Sequence, residues 1–443
     1  MTGVQSEVDI GATQAARLLL GLPIAYGLSV ALSRKAGDRE VLMIDFSWPE
    51  ELQMLRRSLR GFLTQELAPW ERQYQAYFGG ERRRLQDDGR LVPELLALLR
   101  QARRRSGELG FYGMQMPAEV GGGGISRVGV FMAQVEAARQ GYGLNLAVMA
   151  GPEGASPMLL QLPEPLKERY LGPLLRGEQS TCFALSEPEA GSDIKHLQTR
   201  AQRQGDYYLL NGLKTFITNA AYADSAQVFA VTDQERYRES GTVGVTAFLV
   251  DSRTPGYQVG AINRSILDDG AQAELIFADC QVPAENVIGQ PGQGFYAAMS
   301  WIGIGRLNLA ALSVGLGHYL LERSVEYARQ RVTFGQPIAK RQHIRRMLAR
   351  SATELYAAEQ MALNCAWRLD QGQTIMQESA MVKLYATNML YRLADRAIQV
   401  HGAMGVMQEL PLERIWKLAR VLRIVEGTDE IQQETIAKGL GLG

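Results

Sequence analysis

The chain has 443 residues, 46% of them hydrophobic and 21% charged, enough apolar material for a large core at a length that suggests two or three domains. Lys+Arg and Asp+Glu number 47 each, so the formal net charge is zero and nucleic-acid binding has no compositional support. Cys182, Cys280 and Cys365 form no CxxC pair or even-numbered framework, and the four histidines have no metal-ligand spacing. These features point to a reducing compartment without a metal site.

Residues 18–32, LLLGLPIAYGLSVAL, are uncharged but broken by Pro23 and two glycines. The run is short for a membrane span, and no stable membrane insertion is expected. A signal-peptide reading is opposed by Glu7 and Asp9 ahead of the run and by the lack of a clear cleavage site. Met43 opens MIDFSWPEELQMLRRSLRGFL, which reads as a fresh start, with Ser47 as a helix cap and Pro49 in a first turn. Residues 1–42 are therefore expected to lie outside the fold.

From Ser47 to about Gly151, apolar residues three and four apart predict helices, interrupted by Gly110 and by the VGGGG run. No strand leads into those four glycines, so they read as a flexible turn and not a phosphate cradle. Near Thr181 the period changes. GDYYLLNGLKTFITN (residues 205–219) predicts two strands joined at Asn211-Gly212, and AQVFAV, TVGVTAFLV and AELIFADCQV continue a β region to about Gly289. GQPGQG (residues 289–294) lacks dinucleotide-loop spacing and reads as a linking turn.

From Pro291 the helical period returns. It predicts one helix through Arg331, one from Pro337 to Asp370, one from Thr374 to about Val400, and shorter ones to Lys438, with Gly439 as a C-terminal cap. The basic run RQHIRRMLAR (residues 341–350) reads as a solvated helix face. The order helices, strands, helices argues against a Rossmann fold.

Four stretches bear on function: CFALSEPEAGSD (residues 182–193), RVTFGQPIAKRQ (residues 331–342), QVHGAMGVMQELPLER (residues 399–414) and RIVEGTDEI (residues 423–431). In order and spacing they resemble the signatures of the acyl-CoA dehydrogenases, from about Met43 to the C-terminus. The resemblance implies an α+β fold with an N-terminal helical domain (residues 43–178), a middle β-barrel domain (179–290) and a C-terminal four-helix-bundle domain (291–443). It also implies FAD as cofactor, an acyl-CoA substrate, a homodimer or homotetramer, and an electron-transfer flavoprotein as electron acceptor. The location would be cytoplasmic, or the mitochondrial matrix in a eukaryote.

Carried across by motif, Phe183, Leu185 and Ser186 would line the flavin ring, with Phe216 and Thr218 on its other contacts. Phe216 stands where the family usually has Trp; it keeps an aromatic wall but lacks an indole N–H. Arg331, Phe334 and Gln342 would reach the FAD of a partner subunit, joined by Gln399, Gly402 and Ala403. Thr428 and Glu430 fall where the family contacts FAD again. Ser192, Arg306 and Gly427 would border the acyl-CoA. Where the family has an aromatic followed by Arg-Asp, this chain has Trp416-Lys417-Leu418, which puts a local ion pair in doubt.

Glu426 has two readings. On its own stretch it is helix-end decoration; with the signatures around it, it is the base that removes a Cα proton. Some branches carry that base at the position of Gly305, which cannot serve. The apolar flank Ile424 and Val425 is expected to keep water away and so raise the carboxyl's proton affinity, and Asp429 with Gln432 resembles a capping box. A flavin oxidase or monooxygenase on the same scaffold, and a non-catalytic scaffold protein, are the alternatives.

Overall fold

The computed structural model describes residues 48–79, 83–267 and 269–442. The expectations for residues 18–32, Met43 and Ser47 lie outside these. Two compact units divide the chain at Leu55–Arg56. The described part of the first, residues 48–55, opens helix α1 (Glu50–Phe62), whose first turn carries Glu50 and Glu51, favourable at the positive end of the helix dipole.

In the second unit, α2 (Pro93–Glu108) starts on a proline that needs no N–H there. Helix α3 (Arg127–Ala138) is capped by Ser126, whose hydroxyl accepts from the Gly129 N–H. Within the glycine run before α3, a Cβ on Gly123 would stand 2.8 Å from Met114 Cα, and the Gly124 N–H donates to Met116 O at 2.9 Å. Glycine is needed there for close approach of two backbones.

Eight strands follow: β1 (Thr181–Ala184), β2 (Arg200–Gln204), β3 (Tyr207–Thr218), β4 (Ser225–Val231), β5 (Val245–Asp251), β6 (Tyr257–Asn263), β7 (Gln272–Pro283) and β8 (Val287–Ile288). They form one sheet in the order β6-β7-β3-β2-β4-β5-β8, with β1 beside β4. Every residue of β4 is buried because both faces carry a core: Phe229 and Val231 enter one, Val228 and Ala230 the other. The expected hairpin at Asn211-Gly212 does not form. These residues sit inside one long strand as a bulge opposite Asp279, whose N–H donates to Asn211 Oδ1 at 2.8 Å. Gly212 is required because a Cβ would lie 2.7 Å from Thr199 Cα. The turn falls at Gly205, φ +62°, between β2 and β3.

The C-terminal bundle comprises α4 (Gly294–Gln330), α5 (Gln342–Asp370), α6 (Met376–His401), α7 (Leu412–Leu422) and α8 (Asp429–Gly439), around a core that includes Leu316, Leu355, Leu390 and Ile415. Helix α5 begins five residues later than expected, because Pro337 pairs with Val332 in a small hairpin, β9 (Val332–Thr333) and β10 (Gln336–Pro337). Its last residue, Asp370, accepts the Arg127 and Val128 N–H groups at 2.6 and 3.0 Å and so binds α5 to the start of α3. Gly439 remains helical, packed by Gln377, and the left-handed glycine is Gly441, φ +79°. At the divergent Trp416-Lys417-Leu418, Lys417 pairs with Glu413 at 2.9 Å and Leu418 is buried in the bundle core.

Candidate active site

The turn between α7 and α8 holds Glu426 in the left-handed region at φ +55°, followed by Gly427 at φ +91°. For a glutamate that conformation is uncommon and needs enforcement. Two carbonyls are clamped to supply it. Glu426 O accepts from Gln432 Nε2 at 3.0 Å and Arg306 Nε at 3.4 Å; Gly427 O accepts from Lys383 Nζ and Gln432 Nε2, both at 2.8 Å. Lys383, Gln432 and Arg306 are all buried.

The expected capping box is therefore not the device used. Thr428 is the N-cap of α8 and accepts from the Ile431 N–H. Gln432 turns back to the two carbonyls, and Asp429 accepts from Arg423 Nε at 2.7 Å and Asn388 Nδ2 at 2.9 Å.

The Glu426 carboxylate lies against Gly305 of α4. A Cβ on Gly305 would stand 3.1 Å from its Cδ and 3.2 Å from each oxygen, so the glycine provides the space the carboxylate occupies. Both face a cavity of about 190 Å³ whose walls include Trp301, Leu309 and Leu312 of α4, Ala137 of α3, and Met149. Burial pushes the Glu426 carboxyl up to about 7, with Arg306 and Lys383 opposing the shift. Burial likewise brings the Lys383 ammonium down to about 8, against the pull of Asp429. The desolvation does not come from the flanking pair as expected: Ile424 and Val425 are 52% and 38% exposed. It comes from α4 and α3, more than a hundred residues upstream.

Trp301, in the cavity wall, belongs to the same core as Leu185 and Phe183. Leu185 is buried in that core, so its side chain is spent on packing. The Ser186 carbonyl accepts from the Thr215 N–H at 3.0 Å, which sets Ser186 next to a second bulge in β3, between Lys214 and Ile217. There Phe216, φ +57°, is 66% exposed, and Thr218 is half-buried at the strand end. An aromatic face held out at a strained bulge, with hydroxyl residues on the same strand ends, fits a planar heterocycle such as flavin. Under this loop Glu187 and Lys214 form a buried ion pair at 2.7 Å, Lys214 also donating to Leu185 O at 3.0 Å. Ser192 is exposed on the same loop.

A second group gathers at one end of the bundle. The hairpin carrying Arg331 and Phe334 is anchored by Ile338, which packs with Val400 and Ala328, while Tyr327 stacks on His401 at 4.4 Å. This places Arg331, Gln342, Gln399, Gly402 and Ala403 together, all exposed. Phe334 is 95% exposed at the hairpin tip. Arg331 has no ion-pair partner among the described residues, and beside Gly402, φ +62°, a Cβ would meet nothing within 4 Å. An unpaired arginine, an exposed aromatic with the Arg341 guanidinium 5.6 Å from its ring centre and open backbone fit an anionic, ring-bearing ligand presented from outside the chain. Glu430 is exposed in the first turn of α8.

Sequence reasoning missed Lys383, the Lys214–Glu187 pair and the cavity itself, and took Gln432 for half of a capping box when it holds the Glu426 and Gly427 carbonyls. Lys383 alone had a visible signal, a lysine on the apolar face of a helix.

Residues 49–178, 182–280 and 292–441 match the N-terminal, middle and C-terminal domains of acyl-CoA dehydrogenase. The chain is 33% identical over 394 residues to a 3-(aryl)acrylate reductase of Clostridium sporogenes, covering 88% of this chain and 98% of that one. It is 36% identical over 333 residues to caffeyl-CoA reductase-Etf complex subunit CarC of Acetobacterium woodii, covering 74% and 86%. The solved structure of butyryl-CoA dehydrogenase from Megasphaera elsdenii is similar with a TM-score of 0.77 at 30% identity, over 90% of this chain and 100% of that one.

Proposed function

We propose, from the premise that the chain belongs to the acyl-CoA dehydrogenase family, that it converts an acyl-CoA thioester to the trans-2-enoyl-CoA with Glu426 as the Cα base. The observation that carries the reading is the Glu426 carboxylate set over Gly305 in a mostly apolar cavity with its pKa near 7. A base of that pKa is half ionised at neutral pH, where proton transfer by a positioned group is most effective.

The family is FAD-dependent, and the bound flavin supplies the acceptor for the Cβ hydride. The chain's own residues do the rest. Glu426 removes the Cα proton, and its backbone N–H, which donates to nothing among the described residues, is directed to the thioester oxygen as negative charge develops there. Arg306 and Gln432 hold the Glu426 carbonyl and so aim both groups. Gly427 lets the thioester lie close to backbone, and Ser192 borders the CoA.

Phe183, Leu185 (through its backbone), Ser186, Phe216 and Thr218 hold the flavin of the same subunit, with Thr428 and Glu430 near its other end. Arg331, Phe334, Gln342, Gln399, Gly402 and Ala403 reach the cofactor of a partner subunit, so the working protein is a homodimer or homotetramer. Arginine suits the pyrophosphate because its donors form a fixed fork. The electrons leave to an electron-transfer flavoprotein, a reading supported by the Etf complex in the name of one relative. The catalytic fold divides into residues 43–178, 179–290 and 291–443, in a reducing compartment.

Anaerobic addition of acyl-CoAs to the flavin-loaded protein tests this: bleaching of the flavin absorbance is expected, and a protein full of FAD that no acyl-CoA bleaches refutes it. A second reading, reduction of a 2-enoyl-CoA, is favoured by the reductases among the relatives. It uses the same groups in reverse, with protonated Glu426 returning the proton. Reoxidation of dithionite-reduced enzyme by a 2-enoyl-CoA, faster than reduction by the matching acyl-CoA, would favour it.

A further inference from the structure

The cavity beside Glu426 limits what can be carried there. An apolar cavity of about 150 Å³ takes one benzene; about 190 Å³ takes one ring, or an unbranched chain of similar volume. Its wall along α4 continues from Gly305 to Leu312, seven residues or roughly 10 Å of helix, so the space extends past the carboxylate.

The lining is not uniformly apolar. Gln134 projects from α3 into the wall, and its Oε1 is sealed from solvent with no donor among the described residues. Asn145, the carboxamide on the adjoining loop, is committed: its Nδ2 donates to Ala137 O and Gly141 O, both at 2.8 Å, and closes the end of α3. It is a structural residue, whereas Gln134 Oε1 holds nothing together. A leucine or methionine would fill the same helical position without burying an unmatched acceptor.

Water can serve that oxygen while the cavity is empty. A ring-sized group displaces the water, and only a donor on the incoming group then restores the bond. Resting on the reading of this cavity as the acyl site, we propose that the substrate's acyl portion is ring-sized and carries a hydroxyl or N–H that Gln134 Oε1 accepts, making Gln134 a specificity-determining residue. Sites that leave a buried polar group unmatched discriminate strongly against analogues lacking the partner. One neutral acceptor corresponds to roughly tenfold to a hundredfold.

The test uses the flavin-loaded enzyme with paired thioesters: 3-phenylpropanoyl-CoA against its 2-, 3- and 4-hydroxyphenyl counterparts, hexanoyl-CoA against 6-hydroxyhexanoyl-CoA, and dodecanoyl-CoA for length. The calorimetric Kd and the anaerobic flavin-reduction kcat/KM are both measured. At least one hydroxylated member should exceed its parent by about tenfold or more, and dodecanoyl-CoA should be the poorest. Gln134→Met should bring the pair within about threefold, its flavin content reporting that it folded. Parents as good as every hydroxylated partner, a preference that survives Gln134→Met, or dodecanoyl-CoA as best substrate would each overturn the proposal. If the variant does not fold, the wild-type pairs decide alone. A protein that binds the donor-bearing thioester preferentially yet reduces its flavin with none would keep the pocket assignment and retract the dehydrogenase reading.

Discussion

Gly305→Ala separates catalytic placement from stability because the two should move in opposite directions. The added Cβ would sit 3.1 Å from Glu426 Cδ and 3.2 Å from both carboxylate oxygens. Carbon atoms prefer roughly 3.5–4.0 Å, so the carboxylate must retreat by about half an ångström. Misplacement by about 1 Å can cost a reaction roughly 100-fold, and half of that on a logarithmic scale is about tenfold. Helix α4 should be favoured by the same change, since alanine exceeds glycine in a helix interior by about 1 kcal/mol, which offsets the local crowding. Stopped-flow flavin reduction under anaerobic conditions, together with thermal unfolding of the same preparation, reads both effects. A rate about tenfold lower with an unchanged or higher Tm is expected. A wild-type rate would show that the carboxylate does not work from its place over Gly305; a fall in Tm matching the loss of rate would show that the change acts through the fold.

Glu426→Gln should retain FAD and acyl-CoA binding and reduce the flavin at least ~100-fold more slowly; a wild-type rate rules out Glu426 as the base. In the wild-type enzyme the reduction rate should rise as pH passes about 7, where Glu426 ionises, and Glu426→Gln should lose that dependence. The folded-state pKa lies above the ordinary carboxyl value, so the stability from the protonated form is complete below about 4.5 and lost as pH rises through about 7; Glu426→Gln should accordingly raise Tm more at pH 8 than at pH 5. Arg331→Ala should lower flavin occupancy and shift the mass measured by light scattering, and a monomer with full FAD would exclude the cross-subunit role. Lys214→Met leaves Glu187 buried beside the Gln198 and Thr199 N–H groups without its cation. Breaking such a pair costs about 3–5 kcal/mol, and an unchanged denaturant midpoint would refute that weight.

The resemblance points to Glu426 and not Gly305 as the proposed base; the sequence by itself determined the order of helices, strands and helices and the placement of the four signature stretches. Those are carried by periodicity, turn chemistry and residue type, which local torsional preference and side-chain pattern express within a few residues. It did not determine the bulge at Asn211-Gly212. The local signal there is a hairpin, and the decision lies with Asp279 and Thr199, which meet that segment only after the sheet is assembled. Pro337 likewise reads as a helix start until its pairing with Val332 is known. The same holds for the chemistry of the site. Ile424 and Val425 are the wrong source of desolvation, and Gln432 is the wrong kind of cap, because a carboxyl's pKa and a strained turn's stability are sums over whatever tertiary packing brings near. Gly305, Arg306 and Lys383 reach Glu426 from two other helices. The sequence marks the residue that can act as a base, and the mostly apolar cavity and clamped carbonyls that would let it do so exist only where those helices meet.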